Sequence, residues 1–320
     1  MRAGGPDIDG GFGITGPGEL GPFDDVRRFS HEAMATVFEV YAVHPDERYA
    51  AQAAQAAFDL VDRLERELSR FRSNSDIARV NHLAAGETAR LGSSAMECLL
   101  IARHVYDLTC GAFDIAIGTG LTSLELDADD CSVRATQDGV RLDLGGIGKG
   151  YAVDLVAELL EDWGIARALV HGGFSSVLAL EPRGADGWPL TLSDPGVPSR
   201  ELARLSIRQT ALGASGVRKG HHILDPRTGT PVRRRLGAWA SVPRPRGSVP
   251  ETVAAPGPRA SAGAVTDALA TAFMLLSEEG IEQLCERSPG LEAWIVEDAS
   301  APDDRVRHYG GCDSSRGFRL

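Results

Sequence analysis

Residues 142–154 read LDLGGIGKGYAVD, and this stretch decides how the middle of the chain folds. Four glycines surround Lys149. The apolar residues that follow recur at helical spacing, so residues 151–163 are predicted to form a helix. Residues 141–144 are predicted to form a short strand before the glycines. The stretch therefore predicts a strand that runs through a glycine turn into a helix.

The same glycine turn has the composition of a phosphate-binding site. Glycine allows backbone N–H groups to approach a ligand closely, and a helix N-terminus directly afterwards adds partial positive charge. Lys149 adds a full charge. The spacing is not that of a Walker A loop, because Gly150 stands where Ser or Thr should follow the Gly-Lys pair. A tight structural turn with a solvated lysine explains the pattern equally well, so the turn alone does not decide between them.

Further helices and strands are predicted on both sides of this turn. Residues 36–43 (TVFEVYAV) are rich in β-branched and aromatic side chains and are predicted to form a strand. Apolar residues at helical spacing predict helices over 47–69, 94–109 and 266–276. Helices and strands follow one another in mixed order, which indicates an α+β fold.

The predicted domain organisation is simple. Residues 1–25, rich in Gly and Pro, are expected to form a disordered tail. Residues 26–300 are expected to form one large domain, in which the proline-rich stretch 241–263 is a loop insertion. Residues 301–320 are expected to form a C-terminal tail.

Composition excludes some classes of function. The 320 residues carry a net charge of -12, and a protein that binds duplex nucleic acid needs a basic surface, so nucleic acid is a poor candidate partner. Apolar residues make up 43% of the chain, but no apolar run reaches the length of a transmembrane segment. The five cysteines form no Cys-x-x-Cys pair. These features, with no recognisable signal region, predict a cytoplasmic location.

Residues 215–231 (SGVRKGHHILDPRTGTP) contain a candidate catalytic base. His222 lies between a Ser-Gly turn and a rigid Asp-Pro turn, and imidazole can accept a proton near neutral pH. Taken alone, a histidine pair in a loop is more often an ordinary surface feature.

Residues 265–272 (VTDALATA) contain a candidate half-site for a hard cation. Asp267 and Thr271 are four residues apart, so they share one face of a helix. Both offer oxygen ligands, which Mg²⁺ prefers. The alternative is a plain helix with an acidic first turn and a threonine bonded back to a carbonyl group.

These stretches, in this order, resemble the ApbE family of FAD:protein FMN transferases. The resemblance runs from about residue 29 to residue 296. It is strongest in LDLGGIGKGYAVD, GASGVRKGHHILDPRTGTPV and TDALATA. HEAMATVFEV, LSRFRSNSDIARVN, GAFDIAIG and ALVHGGFSSV are similar to weaker family motifs. Ala35 replaces the family's usual glycine, and the stretch between positions 118 and 142 is shorter than usual.

The resemblance implies a fold and a set of site residues. The fold would be α+β, a single ApbE-like domain with mixed sheets, packed helices and FAD in a central cleft. The FAD site would be lined by Met34, Phe71, Ala112, Phe113, Asp114, Asp143, Lys149 and Ile223. A magnesium ion would be held by the Gly146 carbonyl, Asp267 and Thr271.

The implied reaction is the Mg²⁺-dependent transfer of FMN from FAD to a protein. The FMN half of FAD would move to a Thr or Ser hydroxyl of an acceptor flavoprotein, and AMP would leave. His222 is the candidate base that activates the hydroxyl, with Asp267 as the second candidate. Two alternatives stay open: a Mg²⁺-dependent FAD pyrophosphatase that releases FMN and AMP, and a non-catalytic FAD-binding protein.

Overall fold

The computed structural model describes residues 14–15, 26–182, 187–197, 199–217, 223–232, 235–244, 261–297 and 306–311. Within these ranges the chain forms fourteen strands and six α-helices. In chain order they are β1 (Ile14–Thr15), β2 (Val26–Ala33), β3 (Thr36–Val43), α1 (Glu47–Leu68), α2 (Asp76–Val80), β4 (Thr88–Arg90), α3 (Ser93–Leu108), β5 (Leu124–Asp127), β6 (Ser132–Ala135), α4 (Gly148–Asp162), β7 (Ala168–Gly172), β8 (Ser176–Ala179), β9 (Trp188–Ser193), β10 (Glu201–Ile207), β11 (Thr210–Gly216), β12 (Arg235–Pro243), α5 (Ala262–Phe273), α6 (Glu278–Arg287), β13 (Glu292–Glu297) and β14 (Val306–Tyr309).

An eight-stranded sheet in the order β14-β13-β12-β11-β8-β7-β3-β2 organises the fold. Helices α1, α4 and α5 pack in the main core on one face. The three-stranded sheet β1-β9-β10 contributes to a second core on the other face. The predicted α+β class is confirmed. One refinement is that every strand pairing among the described residues is antiparallel, so the sheets are not mixed.

Helix α1 shows why periodicity predicted the helices well. Its buried residues recur every three or four positions, which gives the helix one apolar face. The Asp46 side chain accepts hydrogen bonds from the backbone N–H groups of Arg48 and Tyr49 and so caps the helix. The observed helix ends one residue before the predicted bound of 69. No helix in the described ranges is long and apolar enough to cross a membrane.

The predicted strand over residues 141–144 is wrong. Only Leu142 pairs, through an isolated bridge to Ala116. The side-chain amide of Asn81 donates to the Leu142 carbonyl at 3.1 Å and accepts from its N–H at 2.6 Å. A side chain thus satisfies the backbone groups that a neighbouring strand would otherwise bond. The following helix, α4, begins at Gly148, three residues earlier than predicted.

The predicted tails and loop are only partly described. Within residues 1–25 only β1 is described, and it pairs with β9. The two ends of the predicted loop 241–263 belong to β12 and α5, and residues 245–260 lie outside the described ranges. Within residues 301–320, β14 extends the main sheet beside β13, so part of the predicted tail is a strand. The domain bounds themselves stay a prediction.

The hairpin between β2 and β3 turns through two non-glycine residues with positive φ, Met34 at 50° and Ala35 at 56°. A two-residue hairpin loop of this type needs left-handed backbone at both positions, which costs an alanine about 1 kcal/mol. We therefore expect Ala35→Gly to raise the free energy of unfolding by about 0.5–1 kcal/mol, measured by urea denaturation. Ala33→Gly, in the adjoining strand, should lower it. If both variants lose the same free energy of unfolding, the turn at Ala35 is unstrained.

Candidate active site

The glycine turn is fixed at its start by hydrogen bonds from side chains. Asn81, which follows α2, holds both backbone groups of Leu142. The carboxylate of the following residue, Asp143, accepts the N–H of Gly145 at 2.9 Å through its Oδ1 atom. The chain therefore enters α4 along a path that two polar side chains define, and the turn is preorganised.

Lys149 and Asp267 meet at the first turn of α4. The Lys149 Nζ lies 3.7 Å from Asp267 Oδ2 and donates to the Gly145 carbonyl at 3.1 Å. The same carboxylate oxygen accepts the backbone N–H of Gly150 at 3.1 Å. Asp267 is 3% exposed, whereas the Lys149 side chain is 22% exposed. A buried carboxylate thus faces a cation that solvent can reach.

Thr271 lies one helical turn beyond Asp267 on the same side of α5. Its hydroxyl oxygen is 3.1 Å from the Ser215 Oγ, and the hydroxyl donates to the Asp267 carbonyl at 3.3 Å. A Cβ atom at position 146 would lie 3.2 Å from the Thr271 hydroxyl oxygen, so the backbone of Gly146 is directly beside it. The predicted metal ligands are therefore brought together from the glycine turn and α5.

Glycines allow this close approach of helix α5 to its neighbours. A Cβ atom at Gly150 would lie 2.1 Å from the Gly263 carbonyl oxygen, and one at Gly213 would lie 2.3 Å from the carbonyl group of Thr266. Atoms at these separations would overlap, so no larger residue fits without movement of the backbone. Helix α5 is held between α4 and β11 at backbone contact, and this sets the position of Asp267.

These oxygen ligands fit magnesium better than a transition metal. Mg²⁺ is usually held by one or two carboxylates together with substrate phosphates and water. Asp267 offers a carboxylate and Thr271 a hydroxyl, the backbone of Gly146 lies beside that hydroxyl, and their binding of magnesium stays a prediction. In the part of the chain that the structure describes, no three His, Cys, Asp or Glu side chains form a metal-binding cluster. Water or substrate phosphate oxygens would complete the coordination of a metal at this site.

An aromatic side chain borders the turn. Phe71, in the loop after α1, is 83% exposed, which is unusual for a large apolar residue. The Arg70 guanidinium lies 4.6 Å from the centroid of its ring and 3.5 Å from Asp143 Oδ2. Phe71 and Asp143, both predicted to contact FAD, are thus brought to one border of the site. An exposed ring held in this way is available to stack on a planar ligand.

Phe113 is also near the turn, and Ala112 precedes it in the chain. Both are buried, and a Cβ atom at Gly146 would lie 3.4 Å from the Phe113 ring. The Phe113 ring is therefore packed beside the turn, Ala112 is buried next to it in sequence, and contact of either residue with FAD stays a prediction.

Asp114 has a clear structural role. Its carboxylate accepts the backbone N–H groups of Ala116 at 2.7 Å and Leu121 at 3.2 Å. Burial raises the pKa of this carboxyl, and the two backbone hydrogen bonds oppose that rise. Both oxygens are occupied by the chain itself, so Asp114 shapes the segment after α3.

The remaining predicted residues are placed less directly. Met34 lies in the turn of the β2–β3 hairpin, partly buried against the main core. Ile223 is buried in the same core. Their contact with FAD stays a prediction. His222, the candidate base, lies outside the described residues.

Three polar residues that support the site received no role from sequence reasoning. Asn81 holds the start of the turn, Ser215 contacts Thr271, and Asp154 accepts hydrogen bonds from the first turn of α5. All three lie within the quoted motifs, but their partners are 56 to 110 residues away in sequence. Only the three-dimensional structure could show these contacts.

Comparison with known proteins identifies the family of this chain. The model of the ApbE family matches residues 34–122 and 119–295. A FAD:protein FMN transferase of Treponema pallidum is 25% identical over 93% of this chain and 91% of its own. A Klebsiella pneumoniae protein of the same name is 27% identical over 57% of this chain and 68% of its own. The chain belongs to the ApbE family.

Solved structures show the same fold. The flavin transferase ApbE from Vibrio cholerae superposes with a TM-score of 0.74 at 19% identity, covering 90% of this chain and 97% of that one. The apo form of the Pseudomonas stutzeri flavinyl transferase ApbE gives 0.72 at 22% identity, with 90% and 94% covered.

Proposed function

We propose that this chain is a Mg²⁺-dependent FAD:protein FMN transferase. In the proposed reaction, a Thr or Ser hydroxyl of an acceptor flavoprotein displaces AMP from FAD. One observation carries the proposal: Lys149, Asp267, Thr271 and the Gly146 backbone meet at the N-terminus of α4. The names of the relatives in the family support the same reaction.

The chemistry follows from where charge develops. The acceptor oxygen forms a bond to the FMN phosphorus while the bond between that phosphorus and the bridging oxygen breaks, and AMP leaves with that oxygen. Negative charge grows on the pyrophosphate during this step. Lys149 and the backbone N–H groups at the start of α4 would stabilise it. Bound Mg²⁺ would supply further charge neutralisation there.

The hydroxyl proton needs an acceptor, and the structure weighs against Asp267. Its Oδ2 already accepts the Gly150 N–H at 3.1 Å and lies 3.7 Å from the Lys149 Nζ, and the proposed metal would occupy the same carboxylate. His222 therefore stays the proposed base. We expect His222→Ala to bind FAD normally and to transfer FMN about a hundred- to ten-thousandfold more slowly. Loss of FAD binding would instead make His222 a cofactor contact.

Lys149 gives a separate prediction about binding. Removing its charge from the pyrophosphate should weaken FAD binding by about 1–3 kcal/mol, or roughly five- to 150-fold, for Lys149→Ala. Flavin fluorescence in excess EDTA measures this without turnover. Arg141→Ala is the control, because it removes an exposed positive charge eight residues earlier. If the two variants bind FAD equally, Lys149 is a solvated turn residue.

The alternatives differ in their products. A pyrophosphatase would release FMN and AMP from FAD and Mg²⁺ without an acceptor, and a binding protein would release neither. For a transferase, we expect AMP release to depend on acceptor and to match the flavin bound covalently. Chromatography of both products decides among the three. The cytoplasmic location is part of the proposal, and cell fractionation tests it.

A further inference from the structure

Asp154 is a buried carboxylate that the proposed chemistry does not use. It lies on α4 one turn after Gly150 and is 2% exposed. Its Oδ1 accepts the backbone N–H of Gly263 at 2.8 Å, and its Oδ2 accepts that of Ala264 at 2.8 Å. A carboxylate of one helix thus binds the first turn of another.

Helix α5 depends on this contact because it lacks a cap of its own. The first N–H groups of a helix have no partner within the helix. The residue before α5, Ser261, makes no side-chain capping bond. The first turn of α5 is buried, so water cannot readily replace the missing partners. Asp154 supplies both acceptors, and in its ionised form its charge suits the positive end of the helix dipole.

The contact also fixes where the metal-ligand residues stand. Ala264 precedes Asp267 by three residues, about one helical turn. The hydrogen bond to the Ala264 N–H therefore fixes where α5 lies along its axis and how it is rotated, and so fixes the position of the Asp267 carboxylate. Gly150 of α4 binds Asp267 Oδ2 directly. Helix α4 therefore holds α5 at two points four residues apart, while close contact with the Gly263 carbonyl prevents a nearer approach.

We propose that Asp154 is a positioning residue that sets helix α5 so that Asp267 and Thr271 face the glycine turn. The proposal rests on the proposed function, because it assigns these two residues to the metal. Asp154 itself contacts neither substrate nor metal. Residues that orient metal ligands typically change metal affinity about ten- to a hundredfold when altered.

Asp154→Asn is the sharpest variant, because it keeps the shape of the side chain. An amide nitrogen donates and cannot accept, because its lone pair is delocalised into the carbonyl group, so asparagine keeps an acceptor for only one of the two backbone N–H groups. This holds although burial raises the pKa of Asp154 to about 8, since a neutral carboxyl also keeps lone pairs on both oxygens. Asp162→Asn is the matched control: the same change at an exposed position of the same helix.

We expect two changes in Asp154→Asn and neither in the control. Amide hydrogen exchange in residues 262–267 should quicken at least about tenfold. The Mg²⁺ concentration for half-maximal FMN transfer, and the dissociation constant for Mg²⁺ added alone in calorimetry, should rise about tenfold. FAD affinity in EDTA should stay within about twofold of wild type, a result that general unfolding would not give.

If amide hydrogen exchange in residues 262–267 is unchanged in Asp154→Asn, Asp154 does not cap helix α5. Faster exchange with unchanged Mg²⁺ requirement would make Asp154 a structural cap that does not position the site. Failure of the proposed function would be seen in the wild-type protein, before any variant is measured. In that case wild type would neither require Mg²⁺ nor transfer FMN.

Discussion

Replacing Asp267 with asparagine is expected to reduce FMN transfer about a thousandfold and to leave the fold intact. The carboxylate is the only charged ligand in the proposed metal set, and loss of metal assistance costs several kcal/mol in the transition state. The asparagine oxygen can still accept the Gly150 N–H, which keeps α4 and α5 together. Initial rates at saturating FAD and acceptor, with thermal unfolding measured in parallel, test this.

Two substitutions of Thr271 also test the proposed metal site. Thr271→Ser keeps the hydroxyl beside Gly146 and should retain most of the Mg²⁺ affinity. Thr271→Val keeps the volume but not the oxygen, and should lose about tenfold in Mg²⁺ affinity. Full activity of Asp267→Asn, or wild-type activity that survives excess EDTA, would remove the metal from the mechanism.

Gly150→Ala is expected to destabilise the protein by about 3 kcal/mol or more, a larger loss than most single substitutions cause. Its Cβ would lie 2.1 Å from the Gly263 carbonyl oxygen and 2.8 Å from the Asp267 Cβ. Backbone atoms cannot rotate away as a flexible side chain can, so α4 and α5 must separate. The midpoint of thermal unfolding should fall by about 6 °C or more.

Gly148→Ala is the control for this substitution. It lies two residues earlier in α4, and its Cβ would meet nothing nearer than the Leu144 Cβ at 3.8 Å. Alanine favours helix over glycine, so stability should stay level or rise by up to about 1 kcal/mol. If the two variants unfold at the same temperature, contact between α4 and α5 does not limit stability.

Much of the fold was predictable because its signals are local. The apolar spacing of α1, the β-branched run of β3 and the four glycines around Lys149 each act within one element. Spacing also placed Asp267 and Thr271 on one face of a helix correctly. These predictions agree with the structure because a helix or strand that buries one face needs apolar residues at the matching spacing.

The rest depends on contacts between distant residues. The predicted strand at 141–144 is reduced to one bridge: Arg141 and Asp143 bond the segment around Ala116, and Asn81, far away in sequence, binds the backbone of Leu142. Strand β14 was missed because its pairing with β13 depends on the sheet edge that β13 offers. Nothing in the sequence alone shows that Gly150 faces Gly263. These features follow from packing, which sequence periodicity does not encode.

Intact mass of a candidate acceptor flavoprotein, incubated with this protein, FAD and Mg²⁺, tests the proposed transfer most directly. We predict that wild type adds one FMN as a phosphoester and releases one AMP for each acceptor modified. At the time when wild type has just modified all of the acceptor, the mass should not change with Asp267→Asn, in EDTA, or when the acceptor Thr or Ser is replaced by Ala. Cleavage of FAD to FMN and AMP with the acceptor mass unchanged would contradict transfer and identify a pyrophosphatase.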